Sequence, residues 1–229
     1  MCGRSTYKLT WEQIVALYRL TLAPAPHNFE PRFNVCPTTT IDTIIAPDGK
    51  RELMRARWGL IPSWWSKPLK ELKLATFNAR AETVTTKPFF KQAFKRKRCL
   101  IPVSGYYEWQ DTPGGKQPWY FTPRDGSPVL MIAGLWDEWK NPETGEPVKS
   151  CTMIITEPNR FVGEVHDRMP VLLSEEQFDP WLSGEAGVEY LKPAGEDVLQ
   201  KWPVSKRVNS SRADDNDPTL IDKVELVAA

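Results

Sequence analysis

The chain has few of the features that would place it quickly. Among its 229 residues it holds two histidines and four cysteines, and its 30 basic and 29 acidic side chains nearly cancel, leaving a formal charge of +1. Balanced charge gives no global argument for nucleic acid, so any such argument must come from local clustering. The cysteines, Cys2, Cys36, Cys99 and Cys151, are widely spaced with no C-x-x-C pair, which argues against a zinc knuckle or ribbon. Two histidines without H-E-x-x-H argue against catalytic metal, and no metal or cofactor is expected. No G-x-S-x-G, G-x-G-x-x-G or G-K-[ST] occurs, so a nucleophile elbow and the common nucleotide loops are excluded. No apolar run reaches the roughly 20 residues of a membrane span, and residues 1–20 lack the apolar core of a signal peptide. A cytoplasmic protein with reduced thiols is expected, with Cys36, Cys99 and Cys151 as small buried apolar residues.

What the chain does have is proline and tryptophan, 21 and ten residues respectively. With short apolar runs, this composition predicts many turns and short strands. Thr10 and Gln13 form a capping box ahead of a helix whose face is Ile14, Leu17 and Tyr18. Residues 23–37 read as an extended loop punctuated by Pro24, Pro26, Pro31 and Pro37. Strands are expected at 39–46 and 53–60, joined by Pro47-Asp48-Gly49, and at 99–103, 105–110, 119–122, 129–139 and 150–156. Gly114-Gly115 and Asp125-Gly126 read as hairpin turns. Short helices are expected at 88–97 and 174–181. The pattern predicts one strand-rich α+β domain over residues 1–229, with a polar tail from about 210 to 229 loosely held.

The chemistry-bearing candidates each have two readings. Cys2 follows Met1; loss of Met1 would expose a residue carrying an α-amine and a thiol on adjacent carbons. An α-amine titrates at about 7.7–8.0, so it can condense with an aldehyde, and the thiol can then close a thiazolidine ring. Cys2 is thus an aldehyde trap or a nucleophile, or an incidental cysteine. Asn78, in Phe77-Asn78-Ala79-Arg80-Ala81-Glu82, can orient a carbonyl or sugar hydroxyl, with Arg80 holding a phosphate; alternatively it is a turn residue beside an Arg80–Glu82 salt bridge. Glu108 lies in Gly105-Tyr106-Tyr107-Glu108-Trp109. Strand alternation puts it on the face of Tyr106, opposite Tyr107 and Trp109, where it is either a proton carrier with a raised pKa or solvent-facing. His166, in Val165-His166-Asp167-Arg168-Met169-Pro170, is a proton carrier or a capped loop residue, and His27 reads as structural. The tandem Trp64 and Trp65 can place one ring in solvent to stack on unpaired bases, or pack as core and lid. Lys91, Lys95, Arg96, Lys97 and Arg98 form the dense basic cluster, suited to phosphate or to a solvated helix face.

In combination these segments carry more than any one alone. Met-Cys-Gly-Arg, Trp-Gly-Leu-Ile-Pro-Ser-Trp-Trp, Asn-Ala-Arg-Ala-Glu-Thr, Gly-Tyr-Tyr-Glu-Trp, His-Asp-Arg-Met-Pro and Pro-Val-Ser-x-x-Val-Asn, in this order from Cys2 to about Asn209, resemble the SRAP (SOS response-associated peptidase) family. The resemblance implies a single domain whose strongly curved sheets form a pseudo-barrel. It implies a monomer that senses abasic sites in single-stranded DNA, links to them through an N-terminal cysteine as a thiazolidine, and removes its own initiator Met as a thiol autopeptidase. Carried onto this chain, it implies Cys2 as nucleophile and crosslinking residue, Asn78 as positioning amide, Glu108 as proton-transfer carboxylate and His166 as the acid/base that opens the sugar ring. It further implies Arg4 and Arg80, with Arg168, as phosphate contacts, and Trp64, Trp65 and Pro37 as an apolar wedge against the bases. The catalytic positions follow the family pattern; loops and the C-terminal tail differ. Two other functions fit the same residues: a thiol peptidase acting on other proteins, and a non-covalent reader of modified or unpaired bases.

Overall fold

A computed structural model describes residues 2–18 and 29–226. Met1, His27, Pro24 and Pro26 lie outside the described residues, as do the side chains of Leu17 and Tyr18. Twelve strands run in chain order among the described residues: β1 Ser5–Tyr7, β2 Arg32–Val35, β3 Thr40–Ile45, β4 Glu52–Trp58, β5 Asn78–Arg80, β6 Arg98–Val103, β7 Gly105–Thr112, β8 Gly115–Pro123, β9 Leu130–Lys140, β10 Pro147–Thr156, β11 Met169–Pro170 and β12 Leu199–Pro203. Four short α-helices accompany them: α1 Trp11–Tyr18, α2 Lys91–Arg96, α3 Arg160–Gly163 and α4 Phe178–Ser183.

The strands fall into two sheets. One has the order β12-β8-β7-β1-β2. In the other, β10, β4, β3, β6 and β9 pair in sequence, and β9 pairs back onto β10, so five strands close on themselves. Closure removes the exposed edges that an open sheet would leave. The strand β10 is buried without interruption from Ser150 to Thr156, because it pairs with β9, β4, β5 and β11 and is covered on both faces. By contrast β4 alternates, with Met54, Ala56 and Trp58 buried and Arg55 exposed. The strand-rich, curved architecture expected from the sequence is the one observed.

Local signals act as expected at several points. The Thr10 backbone N–H donates to Gln13 Oε1 at 3.0 Å, and the Gln13 N–H to Thr10 Oγ1 at 3.3 Å, which starts α1. Ser174 and Gln177 make the same reciprocal box ahead of α4. Gly105, at the head of β7, must be glycine: a Cβ there would lie 2.3 Å from the Tyr120 hydroxyl and 2.6 Å from the Phe121 carbonyl.

Four expectations need correction. Asp125-Gly126 does not close a hairpin; it carries the chain from β8 in one sheet to β9 in the other. The loop expected to run to residue 37 contains β2, in which Arg32 and Val35 pair with β1. Cys36 is half-buried rather than core, with its Sγ 3.2 Å from the Asn34 carbonyl. The C-terminal segment is held as far as Val224, whose N–H donates to the Pro203 carbonyl at 3.0 Å. Asp215 bonds Arg32 Nε at 2.6 Å and the Asn34 N–H at 2.8 Å, and Leu220 is buried against Phe33, Tyr107 and Tyr120. Polarity suggested a loose tail, but Asp215 has specific partners on β2, and Leu220 and Ile221 complete a small core.

Candidate active site

Strand pairing explains how residues far apart in sequence meet. The β1–β7 register sets Ser5 opposite Tyr106, and the Tyr107 N–H donates to the Arg4 carbonyl at 3.0 Å. Cys2, three residues before Ser5, is thereby delivered to the Glu108 end of β7. Alternation along β7 then decides the face. Tyr107 packs with Tyr120 and the C-terminal segment, whereas Tyr106 lies in the core cluster that contains Cys2. Glu108 is fully buried on the Cys2 side, and its charge acts on the Cys2 thiol. A solvent-facing Glu108 is therefore ruled out.

Asn78 opens β5, which lies parallel to β10 with Met153 opposite it. The preceding Phe77 is locked by Trp58, whose indole N–H donates to the Phe77 carbonyl at 2.9 Å. The Asn78 side chain is buried and its Nδ2 donates to the Cys2 carbonyl at 2.9 Å. This is a tertiary contact across the site rather than a turn, and Glu82 pairs with Arg168, not Arg80. The Asn78 Oδ1 is buried without a hydrogen-bond partner among the described residues.

His166 follows α3, which Asn159 caps by accepting from the Val162 N–H at 2.8 Å. The His166 Nδ1 accepts from the Arg168 N–H at 3.0 Å, and Nε2 lies 3.6 Å from Glu108 Oε2. An Nδ1 that accepts leaves the neutral ring's proton on Nε2, facing Glu108. Cys2, Asn78, Glu108 and His166 are thus one cluster. Among the described residues no group of three or more His, Cys, Asp or Glu side chains is arranged to hold a metal.

The electrostatics follow from burial. Desolvation raises the Glu108 carboxyl to about 7. Desolvation first, and then the Glu108 charge, raise the Cys2 thiol well above its ordinary value. Burial lowers His166, with Asp167 opposing. At neutral pH the site therefore holds a thiol rather than a thiolate, a neutral imidazole and a carboxyl poised between its two forms. A carboxyl near 7 suits proton transfer in either direction.

The other expected residues lie around this cluster with varied roles. Arg80 is exposed at the end of β5. Arg168 is half-buried against Glu82. Arg4 is turned inward: its Nη1 donates to Asn34 Oδ1 at 2.5 Å and to the Val208 carbonyl at 2.7 Å, and it lies over the Trp109 ring. Here it ties the C-terminal segment down. Trp64 is 49 % exposed and Trp65 half-buried, both against Phe89. The half-buried Pro37 belongs to a turn whose Thr38 N–H donates to the Trp58 carbonyl at 2.7 Å. The basic run divides. Arg98 is buried between the rings of Phe94 and Trp181, and Lys97 pairs with Asp137 at 2.6 Å, leaving Lys91, Lys95 and Arg96 exposed.

Sequence reasoning missed the support beneath the tryptophan loop. Asp137 on β9 is buried; its Oδ2 accepts from the Ser63 N–H and its Oδ1 from Lys97. Ser150 on β10 accepts from the Ile61 N–H at 2.8 Å, and the Trp139 indole donates to the Trp65 carbonyl. The available signal was an acid flanked by tryptophans in an apolar strand, a position where a carboxylate needs partners.

Comparison with known proteins places this geometry. The chain is 35% identical over 228 residues to abasic site processing protein YoqW of Bacillus subtilis (strain 168), covering 97% of this chain and 99% of that one. It is 30% identical to abasic site processing protein YedK of Escherichia coli (strain K12), with 81% of each chain covered. A crystal structure of a Bacteroides thetaiotaomicron protein superposes with a TM-score of 0.86 at 24% identity, over 98% of this chain and all of that one, which shows a shared fold. A Bordetella bronchiseptica protein superposes at 0.76 with 27% identity, over 89% of this chain and all of that one. Residues 1–211 match the family described as SOS response associated peptidase (SRAP), and the chain belongs to that family.

Proposed function

We propose that this protein processes abasic sites in single-stranded DNA by forming a thiazolidine between Cys2 and the lesion's aldehyde, once Met1 has been removed. The observation that carries the reading is the cluster itself: a buried Cys2 thiol beside the buried Glu108, the Cys2 carbonyl fixed by Asn78, and His166 3.6 Å from Glu108. The names of the relatives, abasic site processing proteins, agree with it.

An abasic deoxyribose rests as a closed hemiacetal, so a proton donor and acceptor must open it. His166, neutral and directed at Glu108, suits that step. Glu108 titrates near 7 and can take a proton from the α-amine of Cys2 and return one as water leaves the carbinolamine. The raised thiol pKa makes the amine the first nucleophile; sulfur then adds to the imine carbon with Glu108 as base. Asn78 holds the Cys2 carbonyl so that both nucleophiles face one carbon. Removal of Met1 falls to an aminopeptidase or to the same thiol, which would attack the Met1 carbonyl, break the C–N bond to Cys2 and leave a thioester that water hydrolyses. The exposed Trp64 supplies a stacking ring, and Arg80, with Arg168, supplies charge toward the flanking phosphates. Preference for single strands follows from the energy required to unstack a duplex.

A denaturing gel tests the reading. Protein mixed with a single-stranded oligonucleotide bearing one abasic site should give a heat-stable shifted band. The intact strand and Cys2→Ala should give none. Equal retention of intact and abasic strands, indifferent to Cys2→Ala, would show a non-covalent reader instead. Turnover of an unrelated peptide, lost in Cys2→Ala, would show a peptidase with external substrates.

A further inference from the structure

Tyr106 shares the Glu108 face of β7 and belongs to the core cluster of Cys2. It is 1% exposed, and its ring is stacked on Phe121 with centroids 5.0 Å apart and planes within 6°. Stacking and burial fix where the hydroxyl can be. That hydroxyl has no hydrogen-bond partner among the described residues. Its neighbours differ: the Tyr107 hydroxyl donates to the Phe33 carbonyl at 2.8 Å, and the Tyr120 hydroxyl meets Thr6 Oγ1 at 2.8 Å. Buried hydroxyls without partners are rare and destabilising, and each calls for an explanation. Asn78 Oδ1, on the amide that holds the Cys2 carbonyl, is likewise buried and unpartnered. Burial, with the nearby Cys2 and Glu108 charges, keeps the phenol protonated, so it has a proton to donate to an incoming oxygen.

We propose that Tyr106 is a catalytic residue whose hydroxyl donates a hydrogen bond to the oxygen of the lesion's aldehyde and retains it until that oxygen leaves. The assignment rests on the reading of Cys2 as the crosslinking residue. When the Cys2 amine adds to the aldehyde carbon, the carbonyl electron pair moves to oxygen, where Tyr106 stabilises it. That oxygen leaves as water, taking one proton from the amine and one from the thiol as the C–N and C–S bonds form. Tyr106 begins and ends protonated, so the step balances without a further reagent.

Tyr106→Phe separates this role from a structural one, because it keeps the ring and deletes only the unpartnered oxygen. Three readouts are needed: the rate of adduct formation with abasic single-stranded oligonucleotide at saturating protein, affinity for the intact strand, and the melting temperature. The assignment requires adduct formation to slow by about 10–10²-fold, with unchanged affinity and an equal or higher melting temperature. A parental adduct rate in Tyr106→Phe overturns it. So does a slowed rate accompanied by a lowered melting temperature, which would mark a packing role. Absence of any adduct from the parent protein overturns the Cys2 reading itself, and this assignment with it.

Discussion

Replacing Glu108 by Gln should stabilise the fold above neutral pH and have no effect in acid. Glu108 is fully buried, and its carboxyl is raised from the ordinary 4.5 to about 7. A folded-state pKa above the unfolded one means that the folded state binds more protons between the two values, so stability falls as pH rises through that window. The full difference corresponds to about 3 kcal/mol, present above pH 7 and absent below pH 4.5. Gln has nearly the same shape, keeps an acceptor oxygen and never ionises. Urea unfolding of both proteins at pH 5 and pH 8 measures the gap directly. The account requires near-equal midpoints at pH 5 and a more stable variant at pH 8. A variant equally shifted at both values, or less stable at pH 8, would refute the claim that burial of this carboxyl is a cost the fold bears. Adduct formation by the parent should rise as pH passes through 7, and the same substitution should abolish that rise.

Three further outcomes follow. Trp64→Ala should weaken binding of intact single-stranded DNA by about 1–3 kcal/mol in a fluorescence titration and leave the melting temperature unchanged, because the ring is half exposed; undiminished binding would remove the stacking role. Asp137→Ala leaves the Ser63 N–H and Lys97 without their carboxylate, which should cost about 3 kcal/mol in chemical denaturation and make the tryptophan loop protease-sensitive; a protected loop would show that other bonds hold it. Gly105→Ala should yield little soluble protein, since its Cβ has no room beside Tyr120; normal yield and an unchanged melting temperature would contradict the packing.

Much of the frame could be read from the chain because periodicity and capping are local. The alternation Tyr106-Tyr107-Glu108-Trp109 assigned the right side chains to the right faces, and the Thr10–Gln13 box started α1 where expected. The short strands β1, β2 and β5 were not legible. Three or four residues carry no periodicity, and their strand identity comes from partners 25 to 101 positions away. Asp125-Gly126 is a sound turn signal, but a turn does not state which sheet the next strand joins. At the site, residue types suggested chemistry without fixing partners. Arg4 looked like a phosphate ligand, yet its Nη1 donates to Asn34 Oδ1 and to the carbonyls of Val208 and Ser210. Asp137 went unnoticed because the value of a buried carboxylate depends on a lysine and an amide that only the closed sheet brings to it.

The central claim is that Cys2, as a free N-terminal residue, captures the aldehyde. Intact-mass spectrometry of the protein after reaction with a single-stranded abasic oligonucleotide tests it most directly. The account predicts one product whose mass is that of the chain lacking Met1 plus the oligonucleotide, less one water, with the link mapped to Cys2. An adduct on protein that retains Met1, or the same adduct from Cys2→Ala, would contradict it.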